Sequence, residues 1–138
     1  MMPRIGFGVA LAVLLAVATA QAQSPEDAAQ NSVEPWLALV DSAQYAASWE
    51  QAAGGLKKAV AAPQWEQAVM RAREPFGRLL SRKATSRTYS TTLPGAPDGQ
   101  YVRLVFDSAF ERKAAAVETA VMALESDGVW RVAGYFVR

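Results

Sequence analysis

The sequence contains neither cysteine nor histidine. Without cysteine the chain can form no disulfide and offers no thiol nucleophile, so its stability has to come from a hydrophobic core. Without histidine it lacks Ser-His-Asp and Cys-His catalysis, the commonest proton shuttle near neutral pH, and ligands that most transition-metal sites use. We therefore predict that the protein holds no metal and no other cofactor.

An excess of one charge is also missing, because 14 Lys and Arg residues stand against 13 Asp and Glu residues. Nucleic-acid binding requires a basic surface, so no nucleic-acid partner is predicted. The charges are nevertheless segregated: those from Glu26 to Glu50 are all acidic, and six of the seven from Arg71 to Arg87 are basic. We interpret the two segments as regions that attract each other within the fold. The alternative is an anion-binding or partner-docking surface around Arg71, Arg78 and Arg82, which stand at helical spacing.

The N-terminus has the pattern of an export signal. Arg4 precedes an uninterrupted apolar run over residues 5–18, and two small-x-small cleavage sites end at Ala20 and Ala22. A membrane-spanning helix needs about 20 apolar residues, and this run is shorter. We therefore predict a signal peptide over residues 1–22, rather than an uncleaved anchor, and a single domain over residues 23–138. The mature protein should be exported without stable membrane insertion, to the periplasm or, as the alternative, to the extracellular space.

The first half of the mature chain has helical periodicity. A capping box that begins at Ser24 predicts a first helix, which Pro35 interrupts or kinks and which ends at Asp41. A second helix is predicted to begin near Ser48, and a third at Pro63, since proline fits the first turn of a helix.

Beyond Ser81 the apolar period changes from 3.6 to 2, which predicts strands. The alternation places Leu104 and Phe106 on the inner side of the second strand, and Val132 and Phe136 in phase on the fourth. We predict an α+β domain in which about three helices pack on a curved four-stranded antiparallel sheet. The predicted strands cover residues 85–92, 101–110, 114–125 and 128–138.

The loop between the first two strands, LPGAPDGQ at residues 93–100, is rich in proline and glycine. A phosphate-binding loop needs a helix after it and a Lys followed by Ser or Thr, and neither is present. Pro94-Gly95 and Asp98-Gly99 are two turn signals in series, so we interpret the loop as a corner between strands.

Six segments of the mature chain form a recognisable set: WLALVD (36–41), SWEQAA (48–53), QW (64–65), REPFGRLLSR (73–82), TLPGAPDGQYV (92–102) and DGVWRVAGYFVR (127–138). Together they resemble the bacterial family called domain of unknown function 4019. The resemblance covers essentially the whole mature chain and implies a small exported protein, with no established catalytic residues to transfer. The order of elements is also similar to the nuclear transport factor 2-like superfamily of cystatin-like cones, which includes isomerases, dehydratases, binding modules and dimerisation domains, so the fold alone selects no function.

Glu118 is the best candidate for a catalytic residue. Strict alternation places it on the same side of the third strand as Ala120 and Met122, and an unpaired carboxylate in apolar surroundings is very costly. It is therefore a base in a pocket with a tyrosine partner, one half of a structural ion pair, or a strand-end residue at the solvent edge. The candidate cations for such a pair are Arg78, Arg82 and Arg103.

The four tryptophans fall on apolar stripes, and core packing accounts for them. The alternative is that some of them line a ligand cavity. The candidate ligand-binding residues are Trp36, Trp49, Glu118 and Trp130.

One face of the sheet is predicted to point away from the helices and to be apolar, with arginines at its border. Exposed apolar patches usually mark interfaces, so we predict a homodimer that forms through this face. The candidate interface residues are Tyr101, Arg103, Val105, Arg131 and Tyr135.

These observations favour a non-catalytic domain of the cell envelope that binds a small ligand or a partner protein. The first alternative is an isomerase- or dehydratase-like enzyme that uses Glu118 in a cone-shaped pocket. The second is a structural or assembly module that dimerises through the sheet.

Overall fold

The computed structural model describes residues 2–3, 12–18 and 22–138. Arg4, residues 5–11 of the apolar run and residues 19–21 of the predicted cleavage sites lie outside the described residues. Within the described part of the chain, no helix is both long enough and apolar enough to cross a membrane.

Residues 22–138 form four α-helices before the sheet, where three were predicted. Helix α1 spans Pro25–Asp41 without a break at Pro35, and it begins as predicted, with the Ser24 hydroxyl accepting a hydrogen bond from the Asp27 N–H at 3.1 Å. The others are α2 (Tyr45–Glu50), α3 (Gly54–Ala59) and α4 (Ala62–Arg73), and a short 3-10 turn follows α4 at Glu74–Phe76.

The predicted second helix is replaced by the two short helices α2 and α3. Ala53, between them, has an extended backbone with φ −61° and ψ 149°, and its N–H donates a hydrogen bond to the Val132 carbonyl at 2.8 Å. The chain therefore leaves the helical path at Ala53 and uses this N–H to contact the edge of the sheet.

The sheet is an antiparallel meander of four strands in the order β1-β2-β3-β4. Its strands are β1 (Leu79–Ser90), β2 (Tyr101–Phe110), β3 (Lys113–Leu124) and β4 (Trp130–Val137). Helix α1 crosses one face and contacts all four strands. The prediction of an α+β fold, with N-terminal helices on a four-stranded antiparallel sheet, is confirmed, although β1 begins at Leu79 rather than at residue 85.

The core lies between α1 and the inner face of the sheet. Leu104 and Phe106 of β2 are buried in it as predicted, and they pack with apolar residues of the helices. The helix residues that complete this core include Val33, Trp36, Leu37, Val40, Leu56, Trp65 and Val69.

A β-bulge in β4 overturns the predicted orientation of its second half. Val121 of β3 pairs with Gly134, but Met122 pairs with Val132, so Ala133 has no partner opposite it. One inserted residue shifts the alternation, because side chains alternate with a period of exactly two. Tyr135 therefore faces the core, with 9% of its surface exposed, and Phe136 faces outward, with 65% exposed. The prediction of Tyr135 on the outer face, with Phe136 in the core, was wrong.

Candidate functional site

Glu118 lies near the middle of β3 and faces the helices, where its side chain is completely buried. Its carboxylate receives four hydrogen bonds. Oε1 accepts from Arg82 Nε at 2.7 Å and from the Ser108 hydroxyl at 2.6 Å, and Oε2 accepts from Arg82 Nη2 at 3.1 Å and from the Tyr135 hydroxyl. The alternative in which Glu118 forms a structural ion pair with Arg82 is confirmed.

A second carboxylate, Asp41, neutralises the remaining charge. Its Oδ1 accepts hydrogen bonds from Arg73 Nη2 at 2.8 Å and Arg82 Nη2 at 2.9 Å, and its Oδ2 accepts from Arg82 Nη1 at 2.8 Å. Arg73 Nη1 in turn lies 3.8 Å from Glu118 Oε2 and donates to the Tyr135 hydroxyl at 3.3 Å. Two arginines and two carboxylates give these groups a net charge of zero. We call Asp41, Arg73, Arg82, Ser108, Glu118 and Tyr135 the buried ion cluster.

Six different elements supply the buried ion cluster, one side chain each. Asp41 ends α1 and Arg73 ends α4, whereas Arg82, Ser108, Glu118 and Tyr135 lie on β1, β2, β3 and β4. A positive charge is favourable at the C-terminus of a helix and a negative charge is not. Arg73 therefore suits its position, and Asp41 depends on the two arginines. The cluster joins the ends of two helices to every strand of the sheet.

The electrostatics of the cluster argue against acid–base catalysis. Burial by itself would raise the pKa of Glu118, but the hydrogen bond and charge of Arg82, together with the Ser108 and Tyr135 hydroxyls, hold that pKa below its usual value. Burial would also raise the pKa of Asp41. The hydrogen bonds and charges of Arg82 and Arg73 outweigh burial, so the pKa of Asp41 is lowered. Burial and the negative charge of Glu118 raise the pKa of Tyr135. A general base is most effective with a pKa near the working pH, and these shifts move the carboxylates away from it.

Three of the four tryptophans donate their indole N–H to a partner within the protein. Trp36 Nε1 donates to the Ser48 carbonyl at 2.8 Å, Trp65 Nε1 donates to the Ser48 hydroxyl at 3.0 Å, and Trp49 Nε1 donates to the Val60 carbonyl at 2.8 Å. Satisfied N–H groups on an apolar stripe are typical of core residues.

The four candidate ligand-binding residues do not form one site. Trp36 and Trp130 both line a hollow of about 420 Å³ between α1, the end of α2 and the start of β4. Trp49 and Glu118 are not among the residues that line it, and Glu118 belongs to the buried ion cluster instead.

Sequence reasoning missed a cleft of about 720 Å³, which is larger than this hollow. We call it the α3 cleft, because α3 forms one wall. The loop after β1, the C-terminal end of β3 and residues 133–136 of β4 form the others. Its wall is mainly apolar and bears two charged side chains, Lys58 and Glu125. The apolar residues of the wall include Leu56, Trp65, Leu93, Pro97, Leu124 and Phe136.

The proline- and glycine-rich loop forms the corner that the sequence predicted, and Gly95 takes the left-handed backbone, φ 77°, that glycine favours. The loop also forms part of the wall of the α3 cleft, which the turn signals did not indicate. Apolar residues within a turn, such as Leu93 and Ala96, were the only hint in the sequence.

The candidate interface residues divide into two groups. Tyr101, Arg103, Val105 and Arg131 lie on the outer face, whereas Tyr135 belongs to the buried ion cluster. Arg131 is held by its own hairpin, because it forms ion pairs with Glu125 at 3.0 Å and Asp127 at 2.9 Å.

The attraction between the acidic and basic segments is confirmed. Asp41 pairs with Arg73 and Arg82, and Asp27 near the start of α1 pairs with Arg87 of β1. The alternative of an anion-binding helix face was wrong, because Arg71, Arg78 and Arg82 lie on a helix, a loop and a strand. Of these three, Arg82 is already neutralised within the buried ion cluster.

Among the described residues, no group of three or more Asp and Glu side chains is placed to hold a metal ion. No match to a functionally curated protein was found. The family described as protein of unknown function (DUF4019) matches residues 32–135, which include the whole buried ion cluster and every wall residue of the α3 cleft except Phe136. The match spans well over half of the chain, so the protein belongs to the DUF4019 family.

Proposed function

We propose that the protein is a non-catalytic binding domain of the cell envelope, and that its ligand is a small, mainly apolar molecule held in the α3 cleft. The observation that carries this proposal is the cleft itself, a mainly apolar concavity of about 720 Å³. Cavities of roughly 300–1,000 Å³ with mostly apolar walls and a few polar groups are typical of small-molecule sites.

The two charged side chains of the cleft differ in their availability. Glu125 accepts hydrogen bonds from the Gly54 N–H at 3.1 Å and from Arg131 at 3.0 Å, so its charge is already compensated. Lys58 is exposed on α3 and forms no ion pair with another described residue. A ligand with an apolar body and one anionic or polar end therefore fits the cleft better than a cation.

The enzyme alternative is less well supported. A carboxylate that acts as a base needs a lone pair free to face substrate, whereas both Glu118 oxygens are occupied by arginine and hydroxyl donors. The buried ion cluster and the α3 cleft share only Tyr135, and Glu118 does not line the cleft.

We further propose that the signal peptide directs the protein to the periplasm, and that the fold is of the nuclear transport factor 2-like kind. In support, the helices precede the sheet, cover one of its faces, and leave a cleft at one end of it. The apolar run at residues 5–18 and the two cleavage sites within residues 18–22 support export.

A binding assay with the neutral apolar dye N-phenyl-1-naphthylamine tests the proposal. Ala59 is exposed on α3 and lines the cleft, so Ala59→Trp should fill part of it and weaken dye binding at least tenfold. The matched control is Ala38→Trp, at an exposed position of α1 outside the cleft, which should leave dye affinity unchanged. Equal dye affinity in both variants would contradict the proposed site.

A further inference from the structure

Within residues 22–138, no helix packs on the outer face of the sheet, because the four helices of this segment lie on the inner face. Along its middle, side chains of three neighbouring strands form a row: Val105 of β2 pairs with Thr119 of β3, and Thr119 pairs with Phe136 of β4. Val117 and Val121 flank this row on β3. A mainly apolar patch of this kind on a small protein marks an interaction surface.

The size of the face suits a protein partner. Four strands of about ten residues present a surface of roughly 20 by 30 Å. Two such surfaces in contact would bury about 1,200 Å², at the lower end of the range for specific interfaces.

The charges on the face indicate which partner covers it. Arg103 and Asp107 lie on β2, each two residues from Val105, and both are exposed. Neither forms an ion pair with another residue that the structure describes, although Lys83 lies opposite Asp107 in the register. A positive and a negative charge at equal distances from a central apolar residue are self-complementary under a two-fold rotation.

We propose that a second copy of this chain covers the outer face, with the two-fold axis along the row Val105–Thr119–Phe136. A two-fold axis that runs across the strands places the partner's copy of β2 over β2, with the two strands running in opposite directions. Arg103 then faces Asp107 of the partner subunit, and Asp107 faces Arg103 of the partner subunit. An axis along β2 would instead stack Arg103 on its own copy, which like-charge repulsion disfavours. Facing sheets of a sandwich pack in this aligned manner, about 10 Å apart.

Charge reversal tests this geometry, with the mass in solution measured by analytical ultracentrifugation. The wild-type protein should be a dimer, and Arg103→Glu or Asp107→Arg alone should shift it to monomer. The double variant Arg103→Glu/Asp107→Arg should restore the dimer, because the exchanged charges meet again. The control Arg71→Glu, at an exposed position of α4, should remain dimeric. A monomeric wild-type protein, or a double variant that stays monomeric, would overturn the proposal.

A crosslinking experiment tests the axis independently. The chain contains no cysteine, so a single introduced thiol has no background. Thr119→Cys should crosslink to its own copy through a bis-maleimide of about 10 Å reach, the spacing of packed sheets. Gln67→Cys, at an exposed position of α4, should not crosslink. Equal yields at the two positions would contradict the axis. Arg103, Asp107 and Thr119 lie outside the α3 cleft, so failure here is distinguishable from failure of the proposed ligand site.

Discussion

Arg82 on β1 reaches across β2 to Glu118 on β3, where its Nε donates to Oε1 at 2.7 Å in the interior of the protein. Ser108 lies on the strand between them and donates to the same oxygen at 2.6 Å. Two residues 36 positions apart in sequence are thus held together at the centre of the sheet. The same guanidinium binds Asp41 at the end of α1, so one arginine connects the sheet to the helical layer.

Loss of the Glu118 charge should destabilise the fold severely. Glu118→Gln leaves Arg73 and Arg82 with only Asp41 to balance them, and breaking a buried ion pair costs about 3–5 kcal/mol. Urea unfolding would measure this loss. The matched control is Glu111→Gln, because Glu111 forms a pair with Arg78 at the surface and should contribute less than about 1 kcal/mol. Similar losses in both variants would contradict the structural role of Glu118.

The buried ion cluster should make the fold sensitive to acid. The lowered pKa values of Glu118 and Asp41 mean that both carboxylates stabilise the fold above the pKa of the unfolded chain, about 4. That stabilisation is lost as the pH falls through the lower pKa values of the folded state, since the unfolded chain then binds more protons.

The free energy of unfolding, measured between pH 6 and pH 2, tests this pH dependence. It should fall less steeply with decreasing pH in Glu118→Gln than in the wild-type protein. Parallel profiles would show that Glu118 does not have a lowered pKa in the folded state.

The β4 bulge predicts that hydroxyl changes at two adjacent residues have unequal effects on stability. Tyr135→Phe removes the donor to Glu118 and the acceptor of the Arg73 hydrogen bond, which should cost about 1–3 kcal/mol. Phe136→Tyr adds a hydroxyl at an exposed position and should change the free energy of unfolding by less than about 0.5 kcal/mol. Thermal or urea unfolding compares the two, and a reversed order would place Phe136 inside.

Ser48 should matter more than an exposed serine because its hydroxyl is the partner of the Trp65 indole N–H. Its hydroxyl accepts from Trp65 Nε1 and donates to the Tyr45 carbonyl at 2.6 Å, and its side chain is fully buried. Ser48→Ala leaves the buried Trp65 N–H without a partner, at a cost of about 1–3 kcal/mol. The control Ser126→Ala, in the exposed β3–β4 turn, should be nearly neutral in the same unfolding assay.

Local sequence patterns predicted the features that depend on short-range interactions, namely the type of each element and the inner face of the regular strands. The change of period after Ser81 separated helices from strands, and alternation placed Leu104, Phe106 and Glu118 on the inner side. The prediction of one continuous second helix from near Ser48 was wrong, because the chain leaves the helical path at Ala53. The Ala53 N–H donates to the carbonyl of Val132, which is distant in sequence, and local patterns do not report such a contact.

The remaining errors have related causes. Alternation assumes an uninterrupted strand, so the inserted Ala133 was invisible and Tyr135 was assigned to the wrong face. The side chains of the buried ion cluster come from six elements. The apolar face of the third strand and the segregation of charged segments indicated an ion pair for Glu118, but not which side chains would meet. The α3 cleft depends on how α3, a loop and two strand ends meet, which periodicity within single segments does not report.

Native mass spectrometry of the protein recovered from the envelope of the bacterium that makes it tests the central claim most directly. A binding domain should carry a small molecule, seen as mass above that of the mature polypeptide, and Ala59→Trp should lose that mass whereas Ala38→Trp retains it. The same spectrum gives the position of signal cleavage and the number of subunits. A bare polypeptide in the wild-type protein, or added mass that Ala59→Trp leaves unchanged, would contradict a ligand in the α3 cleft.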